Sequence, residues 1–222
     1  MGTVRRLAVA AWVLGLSGLA LAAACVVGVR AGYQANTVAS DSMAPTYAAG
    51  DRVVFERIGG EEVRRGDVVV YAAPERYGFD AGVMGRVVAV GGDHVVCCTG
   101  QGAKERITVN GRPLDEPYVK DGVVDGLHRP YDVHVPEGRM FVLGDHRVNS
   151  RDSRFFAGDH GGTVPVEAVR GRATDNWTVP VLLGVAALLG LVAALAGLGL
   201  AIAAVAVRRR RAASAPPWPV RA

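Results

Sequence analysis

Two long apolar stretches stand out along the chain, one near each end. No residue is charged in residues 7–29, nor in residues 178–207, which are rich in Leu, Ala, Gly and Val. At a rise of 1.5 Å per residue, the shorter stretch makes a helix of about 34 Å, which exceeds a hydrocarbon core of about 30 Å. The pattern therefore predicts two transmembrane helices.

Between these stretches the apolar residues form short β-branched runs instead of a helical repeat. The runs are RVVF at 52–55, VVVY at 68–71, VVAV at 87–90, HVVC at 94–97, ITV at 107–109 and MFVL at 140–143. The Asn-Gly pair at 110–111 is a strong tight-turn signal, and the Gly-Gly-Asp sequence at 91–93 predicts another hairpin. Residues 122–136 are predicted to be a loop-rich connection. The central segment is thus predicted to be a mostly β domain.

The charged residues are unevenly placed around the two apolar stretches. Arg5 and Arg6 precede the first stretch and four arginines at 208–211 follow the second, so the positive-inside rule predicts that both chain ends are cytoplasmic. The whole chain carries a net charge of +4; these arginines and Arg221 contribute +7, which leaves −3 for the rest. This distribution disfavours a nucleic-acid partner and makes the arginine-rich tail an expected contact for anionic membrane lipids.

These patterns divide the chain into five segments. They are a cytoplasmic N-terminus at 1–6, a transmembrane helix at 7–29, an extracytoplasmic β domain at 30–177, a second transmembrane helix at 178–207 and a basic cytoplasmic tail at 208–222. A cleavable signal peptide is an alternative for the first helix, because three alanines at 22–24 precede Cys25. The length of the stretch favours an uncleaved anchor.

The three cysteines indicate neither a disulfide framework nor a metal site. Cys25 lies in the first apolar stretch, and Cys97 and Cys98 are adjacent in a predicted strand. Because neighbouring residues of a strand point to opposite faces, the sequence favours two separate small side chains over a vicinal disulfide.

Four segments in a fixed order carry the candidate chemistry. They are SDSMAPT at 40–46, RGDVVV at 65–70, GRVVAVGGD at 85–93 and GDHRVNSRDSR at 144–154, followed by VP at 164–165. The first is a turn-prone segment in which Pro45 restricts Ala44 to extended conformations and two hydroxyls lie two residues apart. The ordered set is far more specific than any one segment.

This set resembles the ordered motifs of type I signal peptidases, the serine–lysine peptidases of family S26, in their Gram-positive, actinobacterial form. The resemblance covers nearly all of residues 40–173. It implies a mostly β fold, with a signal-peptidase-type catalytic domain between two transmembrane α-helices, that removes signal peptides at the membrane surface. It assigns Ser42 as the nucleophile and the Ser40 hydroxyl, with the Ser42 N–H, as the oxyanion hole. Ser150 matches the serine that orients the catalytic lysine.

The resemblance also implies supporting residues around the site. Arg86 and Asp145 lie in the family motifs, and Asp152 and Arg154 match a structural ion pair. Charged residues in a loop-rich segment more often brace the backbone than perform chemistry. The resemblance implies no cofactor and no metal. The expected partners are signal peptides of exported preproteins and membrane lipids, and the expected location is the cell membrane, with the chain crossing it twice.

The sequence departs from the family pattern at the general base. Alignment on residues 92–93 puts Arg86 on the family arginine and Gly85 on the catalytic lysine. The chain has only two lysines, Lys104 and Lys120, and both follow this motif. Arg86 cannot replace the lysine, because a guanidinium with a pKa above about 12 stays protonated near neutral pH.

Two hypotheses follow from the missing lysine. In the first, the chain is an active serine endopeptidase with a relocated base, for which His146 and Lys104 are the candidates. In the second, it is an impaired pseudopeptidase that binds exported segments without cutting them. Loss of the general base of a serine hydrolase costs about 10⁴ to 10⁶ in turnover, so cleavage is expected to be weak at best.

Overall fold

A computed structural model describes residues 2–79, 82–100, 102–126 and 130–213. The chain separates into two compact units, a helical unit formed by its two ends and a β unit, Gly32–Asp175. The part of the predicted basic tail from residue 214 onward lies outside the described residues.

Helices and strands of the described residues follow one another in a simple order. In chain order they are α1 (Gly2–Gly32), β1 (Tyr33–Thr37), β2 (Arg52–Glu56), β3 (Val68–Tyr71), α2 (Pro74–Tyr77), β4 (Val83–Val90), β5 (His94–Thr99), β6 (Arg106–Val109), β7 (Arg112–Pro113), β8 (Tyr131–His134), β9 (Arg139–Leu143), β10 (Val164–Pro165), β11 (Val169–Ala173) and α3 (Thr178–Ala213). Short 3-10 turns occur between several of them.

The helical unit consists of α1 and α3, which contain the two predicted apolar stretches and extend beyond them. Both helices are long and apolar enough to cross a membrane. They approach each other closely at glycines. A Cβ atom on Gly190 would lie 2.6 Å from the carbonyl oxygen of Gly18, and one on Gly197 would lie 2.8 Å from that of Ala11. Only glycine allows this backbone contact.

The β unit contains two antiparallel sheets. The larger sheet has the order β1-β2-β11-β3-β4-β9-β10, and the smaller has the order β7-β6-β5-β8. In the larger sheet Val69 of β3 pairs with Gly85 of β4, and Val87 of β4 pairs with Val142 of β9. Every residue of β3 is buried, which explains its unbroken apolar sequence.

Strands β4 and β9 contribute side chains to two apolar cores. Val87 and Val142 join Val69 and Tyr71 in one core. The alternate residues of the same strands, including Phe141, pack against the smaller sheet in the other. This period-two alternation determines which core each side chain of β9 faces. The motif at 144–154 begins directly after this strand.

Three predicted features of the chain differ in the structure. The glycine-rich turn at 91–93 does not form a hairpin, because it carries the chain from β4 in the larger sheet to β5 in the smaller one. The connection at 122–136 contains strand β8, although its residues 127–129 lie outside the described part of the chain. Cys97 and Cys98 form a disulfide, since a register shift in β5 between Val96 and Thr99 breaks the alternation that the prediction assumed.

Candidate active site

Ser42 lies in a 3-10 turn, Asp41–Met43, that follows β1. Met43 is fully buried and anchors the turn in the β unit. The Ser40 hydroxyl donates a hydrogen bond to the Ser42 hydroxyl at 3.2 Å, and the Ser42 carbonyl accepts one from the His146 amide at 3.0 Å. The turn therefore presents two adjacent hydroxyls from a backbone that is held in place.

A cavity of about 460 Å³ opens beside these hydroxyls. The four residues predicted to form the site, Ser40, Ser42, Gly85 and Ser150, all line it. The motifs at 40–46, 85–93 and 144–154, which are far apart in sequence, thus meet at one cavity. The rest of its wall is largely apolar and includes Val70, Tyr71, Val83, Met84 and Val142.

Gly144 brings Ser42 and Ser150 close together. A Cβ atom at this position would lie 2.6 Å from the Ser42 carbonyl oxygen and would also collide with the Ser150 side chain. No other residue has room there, which explains why glycine follows β9. The Gly144 amide donates to Asp152 Oδ2 at 3.1 Å, so the same residue also links the site to the Asp152 carboxylate.

Gly85 is buried in β4, and the space that a side chain would need is already occupied. A Cβ atom built on Gly85 would collide with Cγ1 of Val142 and would lie 3.7 Å from Cε1 of Tyr71. Val142 itself is completely buried. Any side chain at this position therefore requires Val142 to move from its present packing.

The cavity contains no amine or imidazole among its described lining residues. Its titratable groups are Tyr71, Tyr77, Arg151 and Asp152. Tyr77 donates to the Arg151 carbonyl at 2.9 Å, so the hydrogen bond of 3.1 Å between the two tyrosines is donated by Tyr71. Burial raises the pKa of Tyr71 well above its usual value and keeps its hydroxyl protonated. Neither tyrosine is suited to take a proton from serine.

Neither of the two predicted substitute bases lines this cavity. The Nδ1 atom of His146 lies 3.2 Å from the Asp41 carbonyl oxygen, to which it can only donate. Lys104 is exposed in a 3-10 turn, Gly102–Lys104, between β5 and β6 of the smaller sheet. A relocated base at either position finds no support in this geometry.

Arg86 forms a buried ion pair with Asp145, which is completely buried. The guanidinium donates to both carboxylate oxygens, at 2.8 and 2.6 Å, and stacks over the ring of Tyr118. Thr46 also donates to this carboxylate. Burial alone would lower the pKa of Arg86, but its hydrogen bond and ion pair with Asp145 raise it. Arg86 remains a cation that braces the turn at Ser42.

Two further buried arginines hold the segment at 144–154. Arg154 binds both oxygens of Asp152 at 2.8 Å, and Arg147 binds Glu116 at 2.6 Å. Arg147 also donates to the Gly144 carbonyl at 2.9 Å. Through these contacts the arginine side chains hold the backbone of this segment in place.

Sequence reasoning missed two contributors to the cavity. Val142 lies in an ordinary apolar run, and only the pairing of β4 with β9 reveals that its side chain fills the space at Gly85. Tyr71 ends another such run, and its hydrogen bond to Tyr77 depends on the fold between them. The Val142 contact left no signal in the sequence.

The family and the known proteins that match this chain are signal peptidases. Residues 9–178 match the family described as signal peptidase, peptidase S26. The chain is 30% identical over 179 residues to signal peptidase I of Leptolyngbya laminosa. This alignment covers 74% of this chain and 79% of that protein. It is 30% identical over 192 residues to a probable signal peptidase I of Mycobacterium leprae, covering 61% and 65% of the two chains.

Two further matches are of the same kind. The probable signal peptidase I-2 of Synechocystis is 33% identical over 153 residues, covering 66% of this chain and 64% of that protein. A crystal structure of a signal peptidase I from Enterococcus faecalis matches with a TM-score of 0.40 and 26% identity, covering 51% of this chain and 97% of the other. The chain spans slightly less than two thirds of the Mycobacterium leprae and Synechocystis relatives. Because the family match covers well over half of its residues, the chain belongs to the signal peptidase family, peptidase S26.

Proposed function

We propose that this chain acts on the signal peptides of exported preproteins, with Ser42 as the nucleophile of a slow cleavage reaction. The observation that carries the proposal is the cavity in which the Ser40 and Ser42 hydroxyls meet an apolar wall. Signal peptides end in small residues such as alanine before the cleavage site, and a small apolar side chain suits such a wall.

In the proposed reaction the Ser42 oxygen attacks the carbonyl carbon of the scissile bond. The Ser40 hydroxyl, which is 3.2 Å from the Ser42 oxygen, donates a hydrogen bond to the oxygen that becomes negative, together with the Ser42 amide. The Ser42 proton must leave during attack, and no described residue lining the cavity is a lysine or histidine. Asp152, the one carboxylate among the described lining residues, is paired with Arg154 at 2.8 Å, so water is the proposed acceptor. When the tetrahedral intermediate collapses, the C–N bond breaks and the amine leaves with this proton; a second water then hydrolyses the acyl-enzyme and returns a proton to Ser42. Without a positioned base, turnover falls about 10⁴ to 10⁶ below that of an enzyme with its base in place.

A second candidate function is binding of exported segments without cleavage. The packing of Val142 into the space at Gly85 favours it, because this packing removes the position of the base while the cavity beside Ser42 stays open. Such a chain would still bind exported segments but would not cleave their peptide bonds.

Both candidates place the β domain at the outer membrane surface, with both chain ends in the cytoplasm. The arginines that flank the two apolar helices support this orientation. Ser42 lies thirteen residues beyond residue 29, so even an extended connection keeps it within about 45 Å of the bilayer. Signal peptides in the same membrane and anionic lipids are then the proposed partners, and nucleic acid is not.

The test compares the full-length chain with Ser42→Ala, each reconstituted in phospholipid vesicles with a model preprotein. We expect slow processing by the native chain, loss of processing in the variant and equal binding of the signal peptide by both. Binding without processing by the native chain favours the second candidate. Neither binding nor processing would contradict both.

A further inference from the structure

The outer face of the smaller sheet carries three side chains that can bind a metal ion. In β5, β6 and β8 the odd-numbered residues, such as Val95 and Ile107, pack into the core. His94 precedes Val95, and Asp132 and His134 flank Val133, which also packs against this core, so these three side chains lie on the opposite face and are half-buried or exposed. This face is separate from the cavity at Ser42, none of whose lining residues belongs to this sheet.

Strand pairing brings the three side chains together. His94 of β5 lies directly opposite His134 of β8, and Asp132 is two residues from His134 on the same strand and face. The two imidazole rings stack at a centroid distance of 4.0 Å with an interplanar angle of 9°. Asp132 Oδ1 lies 2.6 Å from Nε2 of His94. One nitrogen or oxygen from each residue lies within 4.8 Å of the others.

These distances are close to those of a coordinated transition-metal ion. Zinc binds imidazole nitrogen at about 2.0–2.1 Å and carboxylate oxygen at about 2.0–2.2 Å, so ligand atoms in a tetrahedral site are about 3.4 Å apart. All three ligand atoms lie within 4.8 Å of one another, and rotation about the side-chain bonds brings them to that spacing. Asp132 and His134 are exposed and His94 is half-buried, so such rotation is open to them and water can take the fourth position.

Hydrogen bonds hold the backbone of the site in place. The His94 amide donates to Asn110 Oδ1 at 2.8 Å, and Asn110 in turn donates to the buried Asp93 at 2.9 Å. β5 is an inner strand of its sheet, whereas β8 is an edge strand. A metal ion bound by residues of both strands would hold the edge strand β8 against β5.

We propose that His94, Asp132 and His134 form a binding site for a divalent transition-metal ion of the zinc type. Two neutral imidazoles and one carboxylate are the donors that zinc, copper and nickel prefer, whereas calcium and magnesium require oxygen ligands. The bound ion links β5 to β8 and stabilises the β unit by binding only its folded form.

The experiment measures zinc binding by the full-length chain in detergent, purified without a histidine tag. Equilibrium dialysis is expected to give one zinc ion per chain, which excess magnesium or calcium does not displace. His94→Asn and His134→Asn, which preserve side-chain size, should each weaken binding by at least the ~10-fold that loss of an outer partner costs. His160→Asn is the matched control, because His160 has a carboxylate neighbour, Asp159, at 2.7 Å but no second histidine in a ligand cluster.

Two further readouts keep the proposal falsifiable if a variant misfolds. Cobalt added to the native chain should give the intense visible bands of tetrahedral coordination, and zinc should raise the unfolding temperature of the native chain but not of His134→Asn. The proposal is overturned by substoichiometric zinc binding, by a native chain without these bands, or by a His160→Asn variant that loses as much affinity as His94→Asn.

Discussion

Restoring a proton acceptor beside Ser42 requires two substitutions. The resemblance assigns the catalytic lysine to the position of Gly85, but a Cβ atom there collides with the buried Val142 side chain. Gly85→Lys alone would overpack the core, which typically costs about 1–3 kcal/mol, and would push an ammonium group among apolar neighbours. We therefore expect the single variant to be less stable than the native chain and inactive.

Val142→Ala removes the obstacle. The side chain is completely buried, and deleting its two methyl groups at ~0.8 kcal/mol each, with a cavity term, costs about 2 kcal/mol. In the double variant Gly85→Lys/Val142→Ala, the lysine stem refills part of that cavity, so the net loss should be smaller. Val69 and Tyr71 belong to the same apolar core. Burial there lowers the lysine pKa from about 10.4 towards neutrality, where the amine can accept a proton.

The assay is cleavage of a model preprotein in vesicles, with protein folding checked by thermal unfolding. A well-placed general base contributes about 10²- to 10⁴-fold to the rate, and we expect an increase in this range for the double variant. Gly85→Met/Val142→Ala is the matched control, because methionine has nearly the length of lysine but no amine. If the folded lysine variant cleaves no faster than this control, then loss of the base is not the main defect and the reasoning is refuted.

Three further predictions concern the support of the site and the membrane orientation. Gly144→Ala should destabilise the β unit by about 1–3 kcal/mol and displace Ser42 from Ser150, because the new methyl group collides with both residues. Thermal unfolding would measure the loss of stability, and the reaction of Ser42 with a serine-directed acylating probe would measure its displacement. Arg154→Met should cost about 3–5 kcal/mol, because it leaves the buried Asp152 carboxylate without its cation, and an unchanged unfolding temperature would contradict this. Protease added outside intact cells should digest the central β domain and spare the arginine-rich tail, whereas a protected central domain would contradict the proposed orientation.

The sequence predicted most of the larger strands because their chemistry is local. All six β-branched runs lie in strands, and the Asn-Gly pair at 110–111 turns the chain between β6 and β7. Both of these residues have positive φ, as a tight turn of this type needs. Strands β8 and β11 were missed because their apolar residues are few, and long-range pairing determines them. The hairpin predicted at 91–93 failed because a glycine turn does not specify which sheet receives the next strand.

Only the candidate site residues that lie in the ordered motifs could be predicted from the sequence. Ser40, Ser42 and Ser150 were identified from ordered motifs, and all three line one cavity. The metal-site residues were not identified, since His94 and His134 are forty residues apart and meet only through the pairing of β5 with β8. A sequence motif records residues that are neighbours along the chain, whereas a surface cluster of this kind depends on register.

The packing at Gly85 shows why a missing catalytic residue cannot be judged from its own position. In the proposed alignment, Gly85 is the position at which the catalytic lysine of a serine–lysine peptidase is not matched. In the fold, a Cβ atom at Gly85 collides with Val142, so the two positions are coupled and their substitutions will not be additive. The packing of Val142 at Gly85 stabilises the core, and a lysine at position 85 would lose those contacts. Raising the slow rate proposed for the native chain to that of an enzyme with its base in place therefore requires at least two substitutions, one in β4 and one in β9.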